Sequence, residues 1–127
     1  MRGACLVGVD VGTQGTKAAI FSASGECLAE AFSDSTLIQP GPGMVEEDPE
    51  AQAASVPRTI RECIERSGAR PGDVAGVAID GQMAGIIGIG ADGMNVTPYD
   101  SWLDTRCAPY IDRMRSKAGE VLRMRSM

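Results

Sequence analysis

The chain has 127 residues, a formal net charge of −5 and no histidine. Its length suits one small domain, and 43% hydrophobic with 23% charged residues is typical of a soluble globular chain. The lack of histidine excludes Ser-His and Cys-His nucleophile systems within the chain. No apolar run approaches the ~20 residues that a membrane span needs. The basic residues are scattered until residues 113–125, which favours a solvated helix face over a nucleic-acid site.

The four cysteines are spaced neither as a zinc site nor as a disulfide framework; they are Cys5, Cys27, Cys63 and Cys107. We therefore expect free thiols in a reducing compartment, hence the cytoplasm. Residues 1–10 show no small-residue cleavage site, so we predict no signal peptide.

Three short strands are predicted near the start. Residues 4–10 (ACLVGVD) form an apolar run that ends in an acid, which indicates a buried strand. Residues 17–22 and 27–32 predict the second and third strands. The intervening turns at 11–16 and 23–26 are too short for a parallel crossover, so we expect an antiparallel meander.

A helix is predicted next. Asp48 suits the N-cap and Pro49 the first helical position. The apolar pattern runs to about Ser67, and Gly68 ends it. Because Pro57 removes an N–H group inside this stretch, we expect a kink or a split there.

The second half predicts two strands and a helix. Residues 74–79 (VAGVAI) indicate a strand parallel to the first, since a helix precedes it. Residues 86–89 (IIGI) predict a further strand, and residues 108–117 a last helix after Asp104. The order strand, strand, strand, helix, strand, strand, helix predicts an α/β layer with a mixed sheet.

Residues 10–17 (DVGTQGTK) contain the most informative pattern. This turn joins two strands, whereas a Walker A loop leads into a helix. Its glycines let an anion approach the backbone, and its hydroxyl, N–H and ammonium groups suit phosphate oxygens. The predicted phosphate-binding residues are Gly12, Thr13, Gln14, Gly15, Thr16 and Lys17. Asp10 suits Mg²⁺, held directly or through water. An ordinary hairpin turn stays an open alternative.

The spacing D-x-G-T-x-x-x-K resembles the first phosphate loop of the actin-like ATPase superfamily, which includes sugar kinases, actin and the seventy-kilodalton heat-shock chaperones. Residues 43–50 (GMVEEDPE) closely resemble a segment of FGGY carbohydrate kinases. Met44 stands where that family usually has an aromatic, and Glu47 where it has Gln or His. Glu46, an acid in the loop before the helix cap, is a further candidate functional residue.

Residues 79–85 (IDGQMAG) follow a strand end, where ligands gather in α/β sheets. Gln82 offers both donors and acceptors, as a sugar hydroxyl requires. The segment resembles G-Q-M-H-G of xylulose kinases, so Gln82 and Met83 are predicted substrate contacts. Ala84 replaces the histidine that would touch sugar, which puts xylulose itself in doubt.

Residues 101–106 (SWLDTR) resemble the W-x-D-x-R element of pentulose and related kinases. The ring of Trp102 can stack on the C–H face of a sugar, while Asp104 accepts hydroxyl hydrogen bonds and Arg106 orients it. Two structural roles stay open, namely Trp102 as a core residue and Asp104 as a helix N-cap.

Together these segments resemble the FGGY carbohydrate kinase family, and xylulose kinases in particular. The resemblance implies a ribonuclease H-like (actin-like ATPase) α/β domain with a mixed sheet and flanking helices, ATP and Mg²⁺ as cofactors, and a small sugar as substrate. In this family the catalytic base is an aspartate beyond position 127, and the adenosine pocket lies in a second domain. We therefore expect no catalytic base within the chain. We also expect residues 1–127 to form an incomplete N-terminal domain, and the remainder of the kinase to be its partner. The basic, methionine-rich residues 121–127 favour the same expectation.

Two further hypotheses remain. The chain is either a non-catalytic remnant that binds sugar or phosphate weakly, or a different superfamily member such as a chaperone-like ATPase. Residues 101–106 argue against the latter, because a chaperone has no sugar to stack.

Overall fold

The computed structural model describes residues 4–125, with side chains up to residue 118. In chain order its elements are β1 (Cys5–Gly12), β2 (Gly15–Ser22), β3 (Cys27–Asp34), β4 (Glu46–Glu47), α1 (Pro49–Ser67), a 3₁₀ turn (Pro71–Asp73), β5 (Val74–Gly81), β6 (Tyr99–Asp100) and α2 (Ala108–Arg125). The expectation for residues 121–127 concerns side chains that lie outside this description.

The main sheet has the strand order β3-β2-β1-β5. β1 pairs antiparallel with β2 and parallel with β5, which confirms both the meander and the mixed sheet. The first turn is shorter than predicted, because pairing continues to Gly12 and Gly15 and leaves only Thr13 and Gln14 outside the strands.

Helix α1 packs across one face of this sheet through Ser55, Thr59 and Cys63, which are buried. The Asp48 carboxylate accepts hydrogen bonds from the first-turn N–H groups, as predicted for an N-cap. The helix is continuous through Pro57, so the predicted split is wrong. Packing of the buried face against the strands holds both halves in helical conformation. These tertiary contacts outweigh the cost of the backbone hydrogen bond that Pro57 cannot donate.

Exposed apolar side chains remain on β1 and β5. Val77 and Ile79 are in register with the core residues Val7 and Val9 and so lie on the α1 side of the sheet, but α1 packs mainly on β1–β3 and leaves them 49% and 62% exposed. Leu6, on the opposite face, is 54% exposed. The hydrophobic core of the described residues lies between α1 and β1–β3; it consists of Cys5, Val7, Val9, Ala18, Ile20, Ala31 and Cys63.

The predicted strand at residues 86–89 is wrong. Ile86 and Ile89 form only single bridges, and both side chains are exposed. The glycines interspersed in this segment disfavour a regular strand, and the exposed side chains of Ile86 and Ile89 add no burial that would offset this cost. The two-residue strands β4 and β6 pair instead, in a ladder too short to predict from the sequence.

Helix α2 begins at Ala108 as predicted and continues past the predicted end to Arg125. Because the helix begins four residues after Asp104, that residue is not its N-cap. Within residues 4–125, neither helix is long and apolar enough to cross a membrane.

Gly15 is the glycine whose replacement the sheet tolerates least. A Cβ there would lie 2.4 Å from the Ser33 carbonyl oxygen, and the backbone φ of +155° disfavours other residues. We expect Gly15→Ala to lower the free energy of unfolding by about 1–3 kcal/mol, measured by urea denaturation. Gly8→Ala is the matched control, because a Cβ on Gly8 meets nothing within 4 Å. Equal stability of the two variants would contradict the close approach of β3.

Candidate functional site

The carboxyl ends of β1 and β5 border a cavity of about 490 Å³. Residues of the β1–β2 hairpin meet both predicted sugar-contact segments there. The lining residues are Asp10, Gly12, Thr13, Gly81, Gln82, Met83, Ala84 and Trp102. Residues up to 92 positions apart in the sequence thus face one space, because the parallel β1–β5 pairing aligns their carboxyl ends.

A line of side-chain hydrogen bonds joins the three segments. The indole Nε1–H of Trp102 donates to Thr13 Oγ1 at 2.8 Å, and the Thr13 hydroxyl donates to Gln82 Oε1 at 2.9 Å. Gln82 Nε2 in turn donates to Glu47 Oε1 at 3.0 Å. Trp102 is 54% exposed, so it is not a core residue, and its ring borders the cavity.

Glu47 anchors the inner end of this line and is fully buried. Its Oε2 accepts from Ser35 Oγ at 2.9 Å and from Gln52 Nε2 at 2.6 Å. Burial, followed by the nearby Glu47 charge, raises the pKa of the Tyr99 phenol. Sequence reasoning noticed Glu47 only as a departure from a family pattern, because the burial of an acid next to a helix cap is not visible in the sequence.

Asp10 is exposed two residues before the end of β1, and its neighbours in register are Asp80 on β5 and Lys17 on β2. Register partners lie on the same side of a sheet, so two carboxylates flank the strand ends. Within the described residues no group of three or more metal-ligating side chains exists. The arrangement fits Mg²⁺, which proteins often hold through one or two carboxylates together with substrate phosphates. Asp80 was missed as a candidate because its pairing with Asp10 depends on strand register.

Lys17 and Gln14 of the hairpin make their contacts outside the cavity. Lys17 forms an ion pair with Glu30 at 2.9 Å, and this hydrogen-bonded contact raises the pKa of the lysine. Gln14 is exposed, and its carbonyl accepts from the Ser35 N–H. Neither residue lines the cavity.

Thr16 is buried on the α1 side of the sheet, 2.5 Å from the Ser55 hydroxyl. Ser55 donates its own hydrogen to the Gln52 carbonyl, so Thr16 must be the donor between the two hydroxyls. A phosphate contact by Thr16 would require this bond to break. A second cavity of about 370 Å³ borders Thr16 on that side, away from Gln82 and Trp102.

Asp104 and Arg106 lie outside the cavity and tie two loops together. The Asp104 carboxylate accepts from the Val45 N–H at 2.8 Å and from Arg106 Nε at 2.8 Å. Arg106 also donates to Glu46 at 2.6 Å. These contacts raise the pKa of Arg106, through the hydrogen bond to Asp104 first and that to Glu46 second. Glu46 therefore serves this loop contact, and both oxygens of Asp104 already have donors.

Known proteins share this fold. Residues 5–126 match the sequence profile described as "FGGY family of carbohydrate kinases, N-terminal domain". The chain is 29% identical to the xylulose kinase of Bacillus subtilis (strain 168) over 117 residues, which are 92% of this chain and 23% of the relative. It is 31% identical to a glycerol kinase of Roseobacter denitrificans, covering 92% of this chain and 24% of the relative.

Among solved structures, a ligand-bound xylulose kinase from Lactobacillus acidophilus superposes with a TM-score of 0.82 at 26% identity, over 91% of this chain and 23% of that one. The predicted actin-like ATPase fold is confirmed. The chain spans about a quarter of the length of the curated relatives it matches.

The Asp104–Arg106 contact predicts a pH dependence. The hydrogen bond from Arg106, helped by backbone N–H groups, lowers the pKa of Asp104 from 3.8 to about 2. Because the pKa of Asp104 is lower in the folded than in the unfolded state, the contact stabilises the folded state at pH values above the unfolded pKa. This stability should be lost as the pH falls from about 4 to about 2.

We expect Asp104→Asn to lower stability at neutral pH and to flatten the stability curve within that acidic interval. Urea denaturation at successive pH values measures both effects. Asp112→Asn, at an exposed position of α2, is the control and should retain the wild-type slope. An unchanged slope in Asp104→Asn would show that Asp104 is not held in this contact.

Proposed function

The chain belongs to the FGGY family of carbohydrate kinases, and we propose that it supplies the phosphate-facing and sugar-facing residues of an ATP-dependent kinase that phosphorylates a pentulose such as xylulose. The observation that supports this proposal best is the cavity in which Asp10 and the hairpin face Gln82, Met83 and Trp102. Two chemically different surfaces, one for phosphate and metal and one for a polyol, thus border one space.

The sugar-facing side combines stacking with hydrogen bonding. The exposed Trp102 ring offers a flat apolar surface to C–H groups of a sugar, and the amide of Gln82 has one N–H hydrogen and one lone pair left for hydroxyls. Met83, which is 83% exposed, adds apolar contact area. Asp104 and Arg106 act on the sugar only indirectly in this proposal, because their contacts hold the loop that presents Trp102.

The phosphate-facing side is the end of the hairpin. Gly12 lets an anion approach the backbone, and Asp10, with Asp80 beside it, would hold Mg²⁺ together with ATP phosphates. Mg²⁺ supplies neutralisation of charge that develops during phosphoryl transfer. In the reaction a sugar hydroxyl forms a bond to the γ-phosphorus, the bond to ADP breaks, and a base takes the hydroxyl proton.

A second proposal is that this chain by itself binds ligand without catalysis. The supporting observations are the exposed apolar side chains Val77 and Ile79 of β5 and the quarter-length coverage of the relatives. Contiguous exposed apolar surface marks a contact site, and the remainder of a kinase polypeptide would suit it. The free thiols of Cys27, Cys63 and Cys107 suit a reducing compartment, so we place the protein in the cytoplasm.

Sugar binding is testable on the chain directly, because Trp102 is its only tryptophan. We expect a saturable change in Trp102 fluorescence on titration with xylulose or ribulose, since a stacked sugar excludes water from the ring. Glycerol, which is too small to cover the ring, should cause a weaker change. The urea-unfolded chain is the control and should show none. Unchanged fluorescence with all sugars in a folded chain would contradict the sugar-facing site.

Asp10→Asn tests the metal role separately. We expect calorimetry to show tighter binding of ATP with Mg²⁺ than with EDTA in the wild-type chain, and no such difference in Asp10→Asn, because an amide binds Mg²⁺ more weakly than a carboxylate. Asp92→Asn, at an exposed turn position, is the matched control and should retain the difference. A magnesium effect that survives in Asp10→Asn would rule out this role, whether or not sugar binds.

A further inference from the structure

The hydrogen-bonded line from Trp102 to Glu47 has a fixed direction. An indole nitrogen can only donate, so Trp102 sets the donor at the outer end. At the inner end both oxygens of Glu47 face donors, namely Gln82 at Oε1 and Ser35 and Gln52 at Oε2. Glu47 is therefore purely an acceptor here.

Gln82 and Thr13, which lie between these ends, can each take only one set of donor and acceptor roles. Because Glu47 requires a donor, the amide of Gln82 must present Nε2 to it and Oε1 to Thr13. Thr13 must then donate its single hydrogen to Gln82, and its oxygen accepts from Trp102. A flipped amide at Gln82 would set two acceptors against each other at Glu47, inside a fully buried site.

We infer that Glu47 is a positioning residue: its buried carboxylate fixes the Gln82 amide, and through it the Thr13 hydroxyl and the Trp102 ring at the cavity. While Glu47 holds the amide this way, Thr13 has no hydrogen left and meets a ligand as an acceptor. A sugar hydroxyl satisfies such a group, whereas a phosphate oxygen does not. This last consequence rests on the proposed function; the positioning role itself does not require a ligand.

The test is Glu47→Gln in the full 127-residue chain, read at the indole N–H resonance of the single tryptophan in a ¹⁵N–¹H correlation spectrum. Glutamine has nearly the same shape but can present either a donor or an acceptor. The Gln82 amide is then no longer held one way, so the Trp102 indole resonance should shift or split. Ser35→Ala removes a donor from the other carboxylate oxygen and should leave the resonance in place.

A double variant separates positioning from general loosening. In Thr13→Val the indole has lost its acceptor, so adding Glu47→Gln should cause no further shift of the Trp102 resonance. A shift of the same size in both backgrounds would overturn the inference. So would an unmoved resonance in folded Glu47→Gln, or an equal shift in Ser35→Ala.

If Glu47→Gln does not fold, hydrogen exchange in the wild-type chain provides the test. The side-chain amide hydrogens of Gln82 should exchange with solvent more slowly than those of the exposed Gln14, because Glu47 holds the Gln82 amide. Equal exchange rates would overturn the inference. Since no sugar is present in these measurements, their failure is distinct from a failure of the proposed sugar site.

Discussion

The parallel pairing of β1 with β5 is the constraint on which the site depends. It sets Asp10 beside Asp80 and Val11 beside Gly81, and the Gln82 N–H continues the ladder by donating to the Val11 carbonyl at 2.9 Å. A slip of one residue would move every β5 side chain to the other face of the sheet. Gln82 would then lie out of reach of Thr13, and the line to Glu47 would not form.

Helix α1 covers this sheet only in part. It packs mainly on β1–β3, while Val77 and Ile79 of β5, on the same side, and Leu6, on the opposite side, remain exposed. The cavity lies at the strand ends, so its geometry depends on strand register and on the loop held by Asp104 and Arg106. Exposed apolar area of this kind is costly in water, which is why we assign it a partner surface in the proposed kinase.

The sequence allowed the prediction of elements that have strong local causes. The meander follows from two tight turns, the start of α1 from Asp48 and Pro49, and the parallel strand from the helix before it. The predicted split at Pro57 and the predicted strand at residues 86–89 were wrong because packing and burial, which are not local, decided them. For the site, Asp10, Thr13, Gln82, Met83 and Trp102 were predicted and do border one cavity. Glu47 and Asp80 were not, because their positions depend on burial and on strand register.

The most direct test of the central claim is phosphoryl transfer by a chimera in which residues 1–127 replace the matching segment of the Bacillus subtilis xylulose kinase. If this chain supplies the phosphate-facing and sugar-facing residues of a carbohydrate kinase, the chimera should phosphorylate xylulose or another pentulose with MgATP, while the kinase without the segment should not. A folded chimera that binds ATP but yields no phosphorylated sugar from any pentulose or polyol would contradict the account.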